Sequence, residues 1–500
     1  MKPLRSIALI VAFAMIVAAC GSSSSSGSSP VQPPFVEDTL LMEPPVSLDG
    51  DAAYKTKLLR VTWNDNGTYR TVLVAIYGNG IGNPVWDWTG ATHAARDIFV
   101  KRSTDGGTTW SMPENVSNTA LFSSIDADHD GDPMTPAIPY FGDSGKPTVF
   151  STGKNISIIW EDSLVNGIHP GPAPAQGTVV YPESGLVEVP YRAIYVARSK
   201  DAGQNWVVER LTDGSRDAKQ SVCRGTSAGW VYTWQEDPEG LQPGDAEGPG
   251  EGGSGAKVSK ETDIWYTAQA AADFGAQNPL PAPIRVTDNL GGNTGASRCN
   301  LQMFGSTSLI AYEETKGTQG LDEGKYIRYH VFTNYLDPTN TDASMGEGWI
   351  LSNPLENARR VRLLIGPGGA EGPVLRTKIT FIWKQGLYDQ GGPSDIMSRT
   401  GYADDMHATP ANGAFPDQLV PAIDPAANTR VGAMNNAPAR NLSSSLGITA
   451  ATDDNAFEDA RAHRGIIRGD TIFMGYTYTA DWAVARFTDL DNYNFYVRRS

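Results

Sequence analysis

The 500-residue chain is poor in the residues that would mark several common classes of protein. It has three cysteines and six histidines, and none stand at zinc-ligand spacing, which excludes a structural zinc module. No Gly-x-x-x-x-Gly-Lys-Ser/Thr loop occurs, which excludes a nucleotide enzyme of that kind. Basic residues are scarce: 40 stand against 56 acidic ones, for a formal charge of -16. That balance argues against nucleic acid as a partner. Charged residues make up only 19% of the chain, and no long stretch repeats with a 3.6-residue period. A helical architecture is therefore not expected.

What is present begins with an export signal. Lys2 and Arg5 precede an apolar run from Ile7 to Val17, and Val17-Ala18-Ala19-Cys20 follows. The order of charge, hydrophobe and small residues is that of a secretory signal, too short for a membrane span. Because the small residues end on cysteine, the pattern resembles a bacterial lipobox, in which Cys20 becomes the lipid-bearing first residue. Gly21 follows it where retention at the inner membrane would favour aspartate, so the expected location is the outer membrane or cell surface. Residues 21–40 are dominated by Ser, Gly and Pro and read as a tether. Residues 41–500 are then the folded part. With Cys20 committed to lipid, Cys223 and Cys299 form either a disulfide, as an oxidising compartment permits, or two separate buried thiols.

The 53 glycines, 33 prolines and 12 tryptophans suit short strands joined by turns. One unit repeats plainly. Asp97-Ile98-Phe99-Val100-Lys101-Arg102-Ser103 runs into Thr104-Asp105-Gly106-Gly107-Thr108-Thr109-Trp110. Likewise Ala193-Ile194-Tyr195-Val196-Ala197-Arg198-Ser199 runs into Lys200-Asp201-Ala202-Gly203-Gln204-Asn205-Trp206. Both contain Ser-x-Asp-x-Gly-x-x-Trp. The aspartate can accept hydrogen bonds from turn amides, the glycine permits positive φ, and the tryptophan packs back on the sheet. Ser103, Asp105, Gly107 and Trp110, with Ser199, Asp201, Gly203 and Trp206, are thus read as structural.

These turns resemble the Asp-box, or BNR repeat, of sialidases and related propellers. Weaker copies of the preceding strand occur at residues 263–266, 326–330, 394–399 and 494–500. Each of the six is preceded by a strand that ends in an aromatic, often followed by acids: 74–77, 159–162, 232–237, 311–314, 381–384 and 473–476. The expectation is an all-β, sialidase-like β-propeller of about six four-stranded blades, incomplete at its C-terminus because Ser500 falls where a third strand enters its turn. From Asp481-Trp482 to Ser500 above all, the chain also resembles exported choice-of-anchor proteins of the O type.

In such blades the turn after the third strand lies on one face, and the second-to-third loops and inter-blade links lie on the other. Binding is therefore expected opposite the Asp-boxes, where residues 79–95, 163–191 and 238–260 read as long loops, the last Gly-rich and acidic from Glu247 to Gly253. The link between blades one and two carries Asp126, Asp128, Asp130 and Asp132, with glycine at 131. Alternate carboxylates of this kind suit calcium, although the twelfth position is Ala137 rather than the closing glutamate. An unliganded acidic loop is the other reading. Arginines recur where innermost strands begin: Arg224, Arg298, Arg359, Arg360, Arg362, Arg461 and Arg464. They either converge on an anion or pair with Glu161, Asp162, Glu236, Asp237, Glu313 and Glu314.

The sialidase resemblance implies three arginines on a sugar carboxylate and a tyrosine nucleophile activated by glutamate. The matching types are Arg224, Arg298 and Arg360, then Tyr476 or Tyr478, then Glu236 or Glu313. The family's Arg-Ile-Pro motif before the first Asp-box is replaced here by Arg60-Val61-Thr62. That departure favours a surface-anchored binding propeller with a glycan or protein ligand over a glycosidase or lyase acting on acidic glycans.

Overall fold

Contacts divide the chain into Met1–Ser47 and Leu48–Ser500. The computed structural model describes residues 53–499 of the second unit, apart from 88, 166, 181–186, 241, 245–254, 258–259, 293, 316–324, 343–344, 347, 353–356, 372–373, 387–393, 404–438, 444–457, 469–470 and 482–492. The signal, Cys20, the tether, residues 247–253, Trp482 and Ser500 lie outside these residues. So do residues 482–492, the larger part of the segment that carries the likeness to the choice-of-anchor group.

The described part is a β-propeller. Blade one is Tyr54–Asp65, Thr68–Trp86, Thr92–Ser103 and Glu114–Asn115, hydrogen-bonded in that order. Blade two is Gly145–Thr152, Asn155–Asp162, Ala193–Ser199 and Val207–Arg210. Blade three is Asp217–Gly225, Gly229–Asp237, Asp263–Ala270 and Ile284–Arg285. Blade four is Ala296–Phe304, Thr307–Thr315, Lys325–Phe332 and Trp349–Ile350. Blade five is Asn357–Glu371, Val374–Gly386, Ser394–Tyr402 and Arg440–Asn441. Blade six contributes three described strands, Asp459–Arg468, Thr471–Thr479 and Asn494–Arg499. All pairings within the blades are antiparallel. All six second strands and all six third strands fall where the sequence places them.

The core lies in the seams between blades. Ile158 and Trp160 pack with Val74 and Ile98 between blades one and two. Trp230 and Trp234 pack with Ile159 and Ile194 in the next seam, and Tyr266 and Val231 with Leu301 and Tyr312 in the one after. Phe381 and Trp383 pack with Tyr329 and Leu309 between blades four and five, and Ile472 and Met474 with Ile382 between five and six. First strands of consecutive blades touch one another, which makes them the innermost set.

Every innermost strand carries the same irregularity. One extra residue interrupts the pairing register between Tyr54 and Lys57, Gly145 and Thr148, Lys219 and Val222, Ser297 and Asn300, Arg359 and Arg362, and Arg461 and Arg464. At each β-bulge one residue is left-handed: Lys55, Lys146, Gln220, Arg298, Arg360 and Ala462, with φ between 48° and 59°. In three cases the preceding blade holds the bulge by a side chain on its second strand. Glu161 Oε1 accepts from the Gln220 amide at 2.7 Å, Gln235 Oε1 from the Arg298 amide at 2.8 Å, and Glu313 Oε1 from the Arg360 amide at 2.8 Å.

Two loop readings change. Residues 79–95 are mostly strand: Pro84, Val85 and Trp86 pair with Ala94, His93 and Thr92, prolonging the hairpin. The reason is a satellite core in which Val85 and Trp86 bury against Ala127, Tyr140 and Val187. Residues 163–191 include a small hairpin, Thr178–Val180 with Glu188–Pro190. Trp86 Nε1 donates to Glu188 O at 2.8 Å, which ties the two loops together.

Candidate functional site

The bulges set the chemistry of a central cavity of about 530 Å³. Because each left-handed residue falls at the same level of its strand, blades two to six present Lys146, Gln220, Arg298, Arg360 and Ala462 to one space. The residues two further on, including Arg362 and Arg464, also line it. Five basic side chains, Lys146, Arg298, Arg360, Arg362 and Arg464, face two acidic ones, Glu161 and Glu313.

The acids are strongly engaged. Buried Glu313 lies 2.7 Å from Arg359 Nε, 3.8 Å from Lys325 Nζ and 4.0 Å from Arg298 Nε. Burial alone would raise its pKa. The surrounding cations Arg359, Arg298 and Lys325 reverse this and hold it down at about 2. Lys325 is itself fully buried, and desolvation with Arg359 beside it pushes its pKa well down. Glu161 Oε2 lies 3.5 Å from Lys146 Nζ and 3.9 Å from Arg192, which also lies 3.6 Å from Asp143.

Around Arg362 cations predominate. Burial, then the charges of Arg464 and Arg360, lower its pKa to about 10. Its Nε is buried with no hydrogen-bond partner. Burial and Arg362 likewise take His463 down to about 3, so its ring is neutral, with Nε2 at 2.8 Å from Arg360 O.

Of the proposed catalytic set, Arg298, Arg360 and Glu313 meet at this cavity, and Arg224, Glu236 and the two tyrosines do not. Arg224 packs over the Phe150 ring at 5.5 Å, with Nε 3.3 Å from Gln302 Oε1. Counted from the left-handed residue, Arg224 is four positions along its strand, at the level of Gln302 in blade four. The match to Arg298 is a false one. Tyr476 is buried in the seam of blades five and six, donating to Leu442 O at 2.9 Å. Tyr478 donates to Glu458 at 2.8 Å. Glu236 accepts from Trp234 Nε1 at 2.7 Å. No tyrosine lines the cavity among the described residues. The expected pairing of arginines with the acids of second strands holds for Arg359 and Arg298 with Glu313, and Arg328, outside that expectation, pairs with Glu314 at 3.9 Å.

The Cys223–Cys299 bridge is absent, and both are free, buried thiols. They are not at equivalent positions. Cys223 lies in the seam of blades two and three, 3.7 Å from Thr148 O, and Cys299 in the seam of blades three and four, 3.4 Å from Gln220 O. Each thiol faces the blade before its own, so the two do not approach. Another motif resolves in the same way. Gly225-Thr226-Ser227-Ala228-Gly229 has the spelling of a nucleophile elbow but joins two antiparallel strands, not a strand to a helix.

In the acidic link, Asp128, His129 and Asp130 bring one ligand atom each within 4.8 Å of one another, and this group excludes Asp126 and Asp132. Asp128 Oδ1 accepts from the amides of Asp130 and Gly131, and Asp130 Oδ1 from that of Asp132. The two Ser-x-Asp-x-Gly-x-x-Trp turns close on themselves. Ser103 Oγ donates to Asp105 at 2.8 Å and accepts from Gly107 N at 2.8 Å, and Ser199 repeats both contacts with Asp201 and Gly203. Lys146, Lys325 and Gln220 escape a reading of the sequence. Aligning inner strands on their bulges, rather than on neighbouring Cys and Arg letters, would find Lys146 and Gln220.

No protein-family profile and no curated protein matches this chain. Solved structures match at low identity. The intramolecular trans-sialidase of Ruminococcus gnavus is 10% identical, over 89% of this chain and 94% of that one, with a TM-score of 0.36. The leech intramolecular trans-sialidase is 10% identical over 89% and 68%, with a TM-score of 0.37. The alpha-L-arabinanase of Penicillium chrysogenum is 9% identical over 70% and 88%, with a TM-score of 0.31. These likenesses concern the fold alone.

Proposed function

We propose that this is an exported, lipid-anchored propeller that binds the anionic group of a small ligand in its central cavity without converting it. The ligand class is an acidic sugar or a comparable carboxylate or sulfate. One observation carries the reading: five basic side chains share the cavity with two acids, and Arg362 is so placed among cations that its own charge is disfavoured. A bound anion would relieve that crowding, and guanidinium groups suit its planar or tetrahedral oxygens. Turnover of the sialidase kind is disfavoured because the lining described holds no tyrosine to act as nucleophile. Export and lipid attachment rest on the sequence around Cys20. The described residues include no helix long and apolar enough to cross a membrane.

Calorimetric titration of the soluble protein with sialic acid, glucuronic acid and a sulfated monosaccharide tests this. Binding of at least one, weakened about tenfold or more in Arg362→Gln or Arg464→Gln, is expected for the loss of one charge-assisted hydrogen bond. Hydrolysis of a fluorogenic sialoside would overturn the non-catalytic reading, and indifference to both substitutions would remove the cavity as the site.

A further inference from the structure

A second basic cavity lies between blades five and six, away from the axis. Its volume is about 380 Å³, and Lys378, Arg399, Arg440, Arg498 and Arg499 line it together with Ser398, Thr400, Leu442, Ile472 and Met474. No acidic side chain is in this lining among the described residues. Arg440, Arg498 and Arg499 have no carboxylate within ion-pair distance among the described residues, and Arg440 and Arg499 are exposed. Their nearest aromatic and hydroxyl contacts are weak: Arg499 stands 5.8 Å from the Phe473 ring, and Arg498 Nε is 3.5 Å from Tyr476 Oη.

The two cavities share no lining residue. Lys378 pairs with Tyr402 and Phe473 with Arg499, at the ends remote from the bulges. The groove is thus separate from the central cavity and makes no use of its residues. On a chain of net charge -16, five cations in a described lining that includes no acidic side chain form a local reversal of sign. Salt confines its reach to about 8 Å at physiological ionic strength, so a long polyanion would meet the acidic surface beyond it. A compact anion would meet, among the described lining, the four arginines, Lys378 and the Ser398 and Thr400 hydroxyls.

We propose that this groove binds a phosphate or sulfate group, presented by a small ligand or by a lipid headgroup. The apolar floor of Leu442, Ile472 and Met474 suits a carbon skeleton or glycerol backbone behind the anion.

The experiment titrates the soluble protein with inorganic phosphate, inorganic sulfate and neutral vesicles doped with an anionic phospholipid, at low and physiological salt. Wild type is compared with Arg440→Gln/Arg499→Gln, two exposed positions whose exchange leaves the seams intact, and with Arg464→Gln, which alters only the central cavity. Saturable binding of phosphate, or of sulfate at a site beyond the central one, that is weakened about tenfold or more in the double variant and retained in Arg464→Gln supports the groove. Vesicle binding with the same dependence identifies a lipid headgroup as the source, and its absence a small ligand. Binding lost only in Arg464→Gln, binding indifferent to the double variant, or no binding of any probe overturns the proposal.

Discussion

At the scale of single residues, Glu236 is the most informative. Burial raises its pKa to about 7, against the Trp234 hydrogen bond and the Arg216 charge, which lower it. The unfolded chain releases this proton near the ordinary glutamate value, so between that value and pH 7 the folded form alone retains it. Stability therefore falls as pH rises through this window, by at most about 1.4 kcal/mol for each pH step of one. Glu236→Gln keeps an acceptor for Trp234 Nε1 and removes the titration. Thermal unfolding at pH 8 should show the variant more stable than wild type, with the difference shrinking at pH 5. The cysteines give a second prediction. Burial pushes both thiols up to about 12, so a thiol reagent should find neither in the native protein at pH 8. In unreduced denaturant it should find both, and a single disulfide band would contradict the structure.

At the scale of elements, the strands are legible because alternating apolar residues ending in an aromatic mark the buried second and third strands of each blade, as at Ile159-Trp160 or Phe381-Ile382-Trp383. The innermost strands are not. Their bulges add one residue outside the two-residue period, so a register read from letters slips, which is how Arg224 comes to be matched with Arg298. The cost of the bulge is also local. A non-glycine residue in the left-handed region is disfavoured by about 1 kcal/mol. Ala462 has φ 51° and no functional group. Ala462→Gly should accordingly raise stability to urea by about 0.5–1 kcal/mol, while Val361→Gly, at a valine buried in a seam, should lower it. Gln235→Ala removes the acceptor of the Arg298 amide and should cost about 1–3 kcal/mol.

At the scale of the molecule, blades adhere through seams rather than through one shared core. Trp383, fully buried between blades four and five, also donates Nε1 to Gln385 at 2.7 Å. Trp383→Ala should destabilise by about 3–5 kcal/mol, seen as a lowered unfolding midpoint in guanidinium chloride. Sequence shows that arginines recur along the chain. It does not show which of them share a space, because Lys146 and Arg464 reach the same cavity from positions more than three hundred residues apart.

In blades two to six the left-handed residue of the inner strand stands outside the hydrogen-bonded ladder, so its side chain answers to the cavity and hardly at all to the sheet. Lysine, glutamine, arginine and alanine occupy that one place in different blades with the same backbone. Each blade in effect carries a socket that can be refilled without retooling the blade. On the proposed reading, ligand preference is therefore free to drift, one position at a time, while the scaffold stays under its own separate constraint.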